Sequence, residues 1–270
     1  MNKIIFVILF ISVTCLLISC GDRKNTTSEN NLKHELVKYE KQSEGCDSLR
    51  QDNCAKIKIE FPQITSFENE NVKEKINKSI AKLFSMNEGG NAEVIDFNLE
   101  MNSFIEEYES FITEFPDAFQ SWFIERTGEV KLNKENIFSI DYLEYSFTGS
   151  AHPNTYVVFK NINISDGKEI KIDEIISSEK QKELTKIAEA EFRKLKNLTL
   201  EADLGQEGFW FEKNKFNLND NFLITDSSLV FYYNNYEITA YAFGPTELEI
   251  PYSKIKNLIK ENSLLAKLIQ

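Results

Sequence analysis

Only two histidines stand in the 270 residues, His34 and His152, and any nucleophilic or proton-transfer site must use one of them or do without. His34 sits next to a polar N-terminal stretch, a poor place for a preorganised site. His152 lies in the turn-rich segment 148–154 (TGSAHPN), beside Ser150 and Asn154 and a few residues after Asp141 and Glu144. A Ser–His–acid relay would need these groups to converge. The plain alternative is an imidazole that bonds turn backbone. There is no Gly-x-Ser-x-Gly elbow, no Walker loop and no Gly-x-Gly-x-x-Gly. A carboxylate pair of glycosidase type stays open, but among 43 Asp and Glu no pair stands apart. The residues favour no enzyme and no cofactor, with a cell-wall polymer hydrolase using His152 as the alternative.

The four cysteines divide by position. Cys15 lies inside an apolar leader and Cys20 at its end, leaving Cys46 and Cys54 as an even pair. In an exported protein such a pair defaults to a disulfide. Closing so short a loop stabilises by about 2–3 kcal/mol in the chain-entropy model. No Cys-x-x-Cys occurs and histidines are scarce, so no metal site is expected.

The leader itself has a short polar start at Asn2-Lys3, then an apolar run from Ile4 to Ile18 broken only by Ser12 and Thr14. That is the layout of a secretory signal, shorter than the roughly 20 residues of a comfortable membrane span. Leu17-Ile18-Ser19-Cys20 resembles the bacterial lipobox. The resemblance implies cleavage before Cys20, a thioether-linked diacylglycerol on its sulfur, and export to a cell-envelope membrane. Several acyl chains together hold a protein stably on a bilayer. Residues 21–31 (GDRKNTTSENN) carry no apolar side chain. They read as a flexible tether with a reach of roughly 20 Å.

The formal charge is −12, with 41% hydrophobic residues, 21 Phe and 10 Tyr. Such a chain can bury a large core, which excludes disordered and collagen-like classes. The acidic balance disfavours nucleic acid and favours basic partners.

Elements that must position these groups follow from periodicity. Strands are expected over 34–43 and 55–61, the second ended by Pro62, with a capping box at Thr65-x-x-Glu68. Val72, Ile76, Ile80, Leu83 and Phe84 recur at helical spacing before Gly89-Gly90, and Phe97 to Phe115 forms a second amphipathic helix stopped by Pro116. From Ser121 to Ile172 the period becomes two, predicting an antiparallel meander with turns at Thr127-Gly128, 148–154 and Asp166-Gly167. Within it, Phe138, Ile140 and Tyr142 change phase to Leu143, Tyr145 and Phe147. That slip implies a bulge or burial of both faces. A helix over 178–198 follows. Next come strands over 215–225, 228–233 and 236–243, with Asn234-Asn235 as the turn, and then a broken helical region from Tyr252. The fold class is α+β: antiparallel sheets packed with amphipathic helices, in two intertwined subdomains. The chain divides into 1–19 (signal peptide), 20–33 (tether), 34–165 and 166–270.

Two stretches carry a family resemblance. Gly149-Ser-Ala-His-Pro-Asn154 with Asp166-Gly167-Lys168, and Leu229-Val-Phe-Tyr-Tyr-Asn-Asn-Tyr-Glu-Ile-Thr-Ala-Tyr-Ala-Phe-Gly244 with Glu249-Ile-Pro-Tyr252, resemble RsiV-type anti-sigma ectodomains and the N-terminal region of PdaC-type deacetylases. Cys54 to Pro62 and the Ile76-Asn77 helix fit the same pattern. Ser150 and Ala240 depart from it. The resemblance implies an α+β envelope domain pair. No deacetylase domain follows and no sigma-binding segment precedes the leader, so it implies neither of those activities. Since RsiV-type ectodomains bind lysozyme, it implies a basic protein of that kind as a partner, which the acidic charge suits.

The sequence thus leads to a non-catalytic, lipid-anchored binding module for a lysozyme-like protein or for peptidoglycan. Its candidate binding residues are Gly149, His152, Asn154, Tyr236 and Tyr241, on loops of a rigid scaffold. A purely structural envelope lipoprotein is the remaining alternative.

Overall fold

Alternating apolar residues in 55–61 become the inner face of a long hairpin. Strand β1 (Lys33–Gln42) pairs antiparallel with β2 (Ala55–Ser66), burying Ile57, Ile59 and Phe61. The computed structural model describes residues 30–44, 46, 54–86, 95–118 and 120–270. The segments expected to be a signal peptide and most of a tether, with Cys20 between them, and Gly89-Gly90 lie outside the described residues. A Cys46–Cys54 disulfide closes the β1–β2 connection at its base, with the Cα atoms 5.3 Å apart.

Pro62 does not end β2; the strand runs four residues further. Even-numbered residues of β2 turn their backbone groups toward the next strand, as Trp122 N to Cys54 O and Gly128 N to Glu60 O show (both 2.9 Å). That neighbour ends opposite Glu60. The missing N–H of Pro62 therefore falls on an unpaired edge, where proline costs no ladder bond. For the same reason the expected capping box is displaced. Helix α1 (Glu70–Phe84) starts later, with Asn69 as its cap accepting from Val72 N at 3.2 Å.

Helix α2 (Phe97–Glu114) is capped by Asp96 and stops just before Pro116, as its sequence predicts. The meander follows: β3 (Trp122–Thr127), β4 (Val130–Lys134), β5 (Ile137–Phe147), β6 (Asn154–Asn163) and β7 (Lys168–Glu169). The first sheet runs β1-β2-β3-β5-β6-β7, with β4 also on β5. Its pairs are antiparallel except β2–β3, which is parallel because both helices intervene between them.

Beyond it come α3 (Ile172–Ile175), α4 (Ser178–Leu195), β8 (Phe222–Ile224), β9 (Ser228–Tyr233), β10 (Thr246–Pro251), α5 (Tyr252–Ile255) and α6 (Leu264–Leu268). The second sheet is β10-β9-β8, antiparallel. Two expectations fail here. The strand expected over 215–225 shrinks to Phe222–Ile224, and 236–243 is not a strand but a loop ending in a short 3-10 turn. The third strand of this sheet is β10 instead.

The architecture is α+β with two large cores and a small third cluster of Val157, Phe159, Leu223 and Val230 between the sheets. One packs Ile57, Ile76, Ile80, Phe84, Phe104 and Phe138 between the first sheet and α1/α2. The other packs Leu184, Phe192, Phe211, Phe231 and Ile250 around the second sheet and α4, and it takes in Leu132 and Ile137 from the first sheet. Strand β5 thus serves both. Its register against β6 is unbroken from Ile137 to Ser146, so the phase slip is not a bulge. The first half is buried on both faces, while Leu143 and Tyr145 are exposed beyond the cover.

Asparagine side chains join the two halves. Asn234 accepts from Val157 N (2.7 Å) and donates to Val157 O (2.9 Å). Asn221 accepts from Phe159 N (2.8 Å) and also donates to Val157 O (2.9 Å). Asn161 reciprocates, donating to Phe222 O and accepting from Ile224 N. These amides stand in for a missing strand on the outer edge of β6, where open backbone groups would otherwise invite pairing.

Candidate functional site

The loop between β5 and β6 carries His152, and its shape follows from Gly149. That residue has φ +93°, and a Cβ there would lie 2.5 Å from Gln120 Oε1. Gly149 is therefore required by the turn, set against Gln120 and Trp122. Ser150 Oγ donates to the His152 carbonyl at 2.8 Å, which closes the loop tip.

From the other half of the chain, the segment after β9 brings two tyrosines to His152. The imidazole stacks on Tyr241, with ring centroids 3.7 Å apart and planes 21° from parallel. Its Nε2 lies 3.1 Å from the Tyr236 hydroxyl and its Nδ1 3.0 Å from Pro153 O. Tyr241 OH donates to the same Pro153 carbonyl at 2.9 Å. A carbonyl only accepts, so Nδ1 carries a proton, and in the neutral imidazole Nε2 accepts from the phenol of Tyr236. Tyr236 OH is the donor in that bond, which leaves its oxygen lone pairs for another group.

Tyr236 itself has φ +64° and is 53% exposed. It occupies the third position of the turn from Asn234 to Glu237, closed by Glu237 N to Asn234 O (3.1 Å) and Asn234 N to Glu237 Oε2 (2.8 Å). Left-handed backbone at that position ordinarily takes Gly or Asn. The expectation that Asn234-Asn235 is the turn is thus corrected: the central residues are Asn235 and Tyr236, Asn234 is a buried edge cap, and the positive φ falls on the tyrosine.

Of the five candidate binding residues, the fold brings His152, Tyr236 and Tyr241 into contact. Asn154 starts β6 a short way along the same edge, and Gly149 serves the turn. Sequence reasoning missed Tyr156, which is 44% exposed on β6. Together with Asn154, Asn235 and Tyr236 it lines a groove of about 560 Å³. The only sequence signal for it was a tyrosine two residues past the turn.

A relay at His152 finds no support in the carboxylates considered for it. Asp141 accepts from Glu129 N at 2.7 Å and pairs with Lys131 at 2.9 Å. Glu144 is bound by Arg126 through Nε and Nη2, both at 2.7 Å, and receives Tyr142 OH (2.8 Å) and Ser146 Oγ (2.9 Å). Burial alone would raise the Glu144 pKa. The Arg126 charge and these hydrogen bonds outweigh it and hold the carboxyl below the usual range. His34 packs edge-on against Phe138 at 5.9 Å. Among the described residues no group of three or more His, Cys, Asp or Glu could hold a metal ion. None of the described helices is long and apolar enough to cross a membrane.

The chain enters the fold at the far end of β5. Asn30 donates to Asn133 Oδ1 (2.9 Å) and Ile137 O (3.0 Å) and accepts from Asn136 N (2.8 Å), while Leu32 is buried. The His152 loop leaves the opposite end of that strand, about 30 Å away at the usual rise per residue.

Known proteins resemble both parts of the chain. Residues 49–155 match the family model described as Deacetylase PdaC, and residues 173–253 match that described as Protein of unknown function (DUF3298). The resemblance read from the sequence motifs is thereby matched in both stretches. A solved structure of a DUF3298 family member from Bacteroides fragilis NCTC 9343 superposes with a TM-score of 0.74 at 19% identity, covering 90% of this chain and 99% of that one. A DUF3298 family protein from Pseudomonas aeruginosa PAO1 gives 0.60 at 18%, covering 87% and 97%. At such identities the likeness concerns the fold. No curated protein matches the sequence.

Proposed function

We propose, from the joined PdaC-like and DUF3298-like folds, that this protein is a non-catalytic binding module of a bacterial cell envelope. In this reading it is exported, cleaved and anchored through lipid on Cys20. Its working surface is the His152–Tyr236–Tyr241 end, and its partner is a basic lysozyme-like protein or cell-wall glycan. The observation that carries the reading is the meeting of His152, Tyr236 and Tyr241 at the end of the molecule opposite Asn30. A tether leaving at Asn30 would hold that end outward from a membrane. The contacts of Asp141 and Glu144 with other groups weigh against the hydrolase alternative, and the acidic charge supports a basic partner.

The test uses the full chain in detergent micelles. Calorimetry and pull-down against lysozyme and against solubilised peptidoglycan fragments are expected to show saturable binding to one of them. Silence toward both overturns the reading. Mass spectrometry of the native N-terminus is expected to show acylated Cys20, and an intact leader would contradict the anchoring.

A further inference from the structure

We propose that the groove along the free edge of β6 binds a short oligosaccharide, either uncharged or carrying amino groups. This deepens the binding-module reading above and rests on it. The groove lies between β6, the loop 219–221 and the turn 234–237, and its volume of about 560 Å³ falls in the range of small-ligand sites.

The groove refuses a peptide strand. A peptide joining β6 as an extra strand needs the edge groups of Val157 and Phe159, which the side chains of Asn221 and Asn234 already hold. Asn235 Nδ2 reaches Thr155 O as well, at 3.5 Å. Strand addition is therefore blocked by the amides that join the two halves.

Tyr156 and Tyr236 set two aromatic faces in water beside Asn154, Asn235 and Asp220. A pyranose presents C–H bonds on one face and hydroxyls around its rim. The negative face of an aromatic ring suits the first, and planar amide and carboxylate groups suit the second. The Tyr236 oxygen, donating its proton to His152, keeps its lone pairs for a sugar hydroxyl.

Tyr236 is 53% exposed and its ring neighbours are His152 and Tyr241 at the surface, not either core, so core packing does not offset its φ of +64°. Asn or Gly would fit that backbone better, so the residue type there answers to something other than folding.

Charge sets the ligand class. Glu169, Asp220 and Glu237 face the groove against one Lys171. Lys171 pairs with Glu169 at 2.9 Å, and Glu237 is held by Asn219 and Asn234 N. This net negative charge repels an anionic ligand, admits a neutral sugar and attracts an aminated one.

The experiment titrates the full chain in micelles with chitotetraose, with its fully de-N-acetylated form, and with tetragalacturonate as an anionic control. Saturable binding is expected for one or both of the first two and none for the third. Tyr156→Ala and Tyr236→Asn should each weaken binding at least tenfold. Tyr236→Asn should do so with a thermal midpoint equal to or above that of the wild type, so that misfolding cannot explain the loss. No saturable binding of either glucosamine-type probe, preferred binding of tetragalacturonate, or wild-type affinity in both variants overturns the groove assignment. If lysozyme or peptidoglycan fragments still bind in any of those cases, the module reading survives the groove; if nothing binds, both fall.

Discussion

Two polar clusters sit near the same end of the first sheet, and they are built in opposite ways. Around Arg126 and Glu144 the side chains are mostly buried, and each Glu144 oxygen has a bonded partner; the guanidinium also donates to Phe84 O at 3.0 Å, closing the C-terminal end of α1. Around His152 the rings lie at the surface: His152 and Tyr241 are part-buried, and Tyr236 is 53% exposed and rests on strained backbone. A buried, fully bonded network fixes a core. An exposed one that holds a tyrosine at positive φ contributes little to folding. The contrast separates a cluster that keeps the sheet and α1 together from one free to meet a ligand, although both are made of ordinary polar and aromatic residues.

Breaking the closed cluster should have the largest effect. Arg126→Ala leaves Glu144 buried without its counter-charge and is expected to cost about 3–5 kcal/mol, read from urea unfolding. A loss below 1 kcal/mol would mean that the pair is not the structural element described.

Next is the asparagine cap of β6. Asn234→Ala leaves the buried Val157 N–H without its acceptor and removes one of the two donors to Val157 O, the other being Asn221, and should cost about 1–3 kcal/mol in the same assay. His152→Ala, on the open cluster, should stay within about 0.5 kcal/mol, as surface changes usually do.

The pH dependence sharpens the comparison further. Glu144 titrates below its ordinary 4.5 in the folded protein. Its contribution to stability is therefore complete above the unfolded pKa and is lost as the pH falls through the folded one. Glu144→Gln should flatten part of the stability loss below about pH 4.5. Exposed carboxylates such as Glu129, lowered by the hydrogen bond and charge of Lys131, would leave a residual slope. An unchanged acid limb would remove Glu144 from the account.

The smallest effect is of opposite sign. Tyr236→Asn relieves a left-handed tyrosine and should raise stability by a few tenths to about 1 kcal/mol. A clear destabilisation would show that the ring supports the fold after all.

How far the sequence revealed these features depends on the range of the interaction. Helices α1 and α2 were legible because Val72, Ile76 and Ile80, or Phe97, Met101 and Phe104, recur on one face. The Cys46–Cys54 bridge was legible from the cysteine count together with the expectation of export. The segment 236–243 misled because Tyr236, Ile238 and Ala240 alternate like a strand, yet only Ile238 and Thr239 go inward while Tyr236 and Phe243 stay in water. Pro62 misled because its tolerance depends on where the neighbouring strand stops. His152 and Tyr236 could each be picked as turn residues, but they are 84 positions apart, and no local spacing announces that they meet. The same holds for Asn221 and Asn234, whose partners on β6 lie more than 60 residues upstream.

Amide hydrogen exchange of the full chain, with and without lysozyme or solubilised peptidoglycan fragments, tests the central claim most directly. The account predicts that the partner that binds slows exchange in 148–156 and 234–244 and leaves the Asn30 and Asn133–Ile137 end unchanged. Protection centred on that opposite end or on β1, or no protection anywhere, would contradict it.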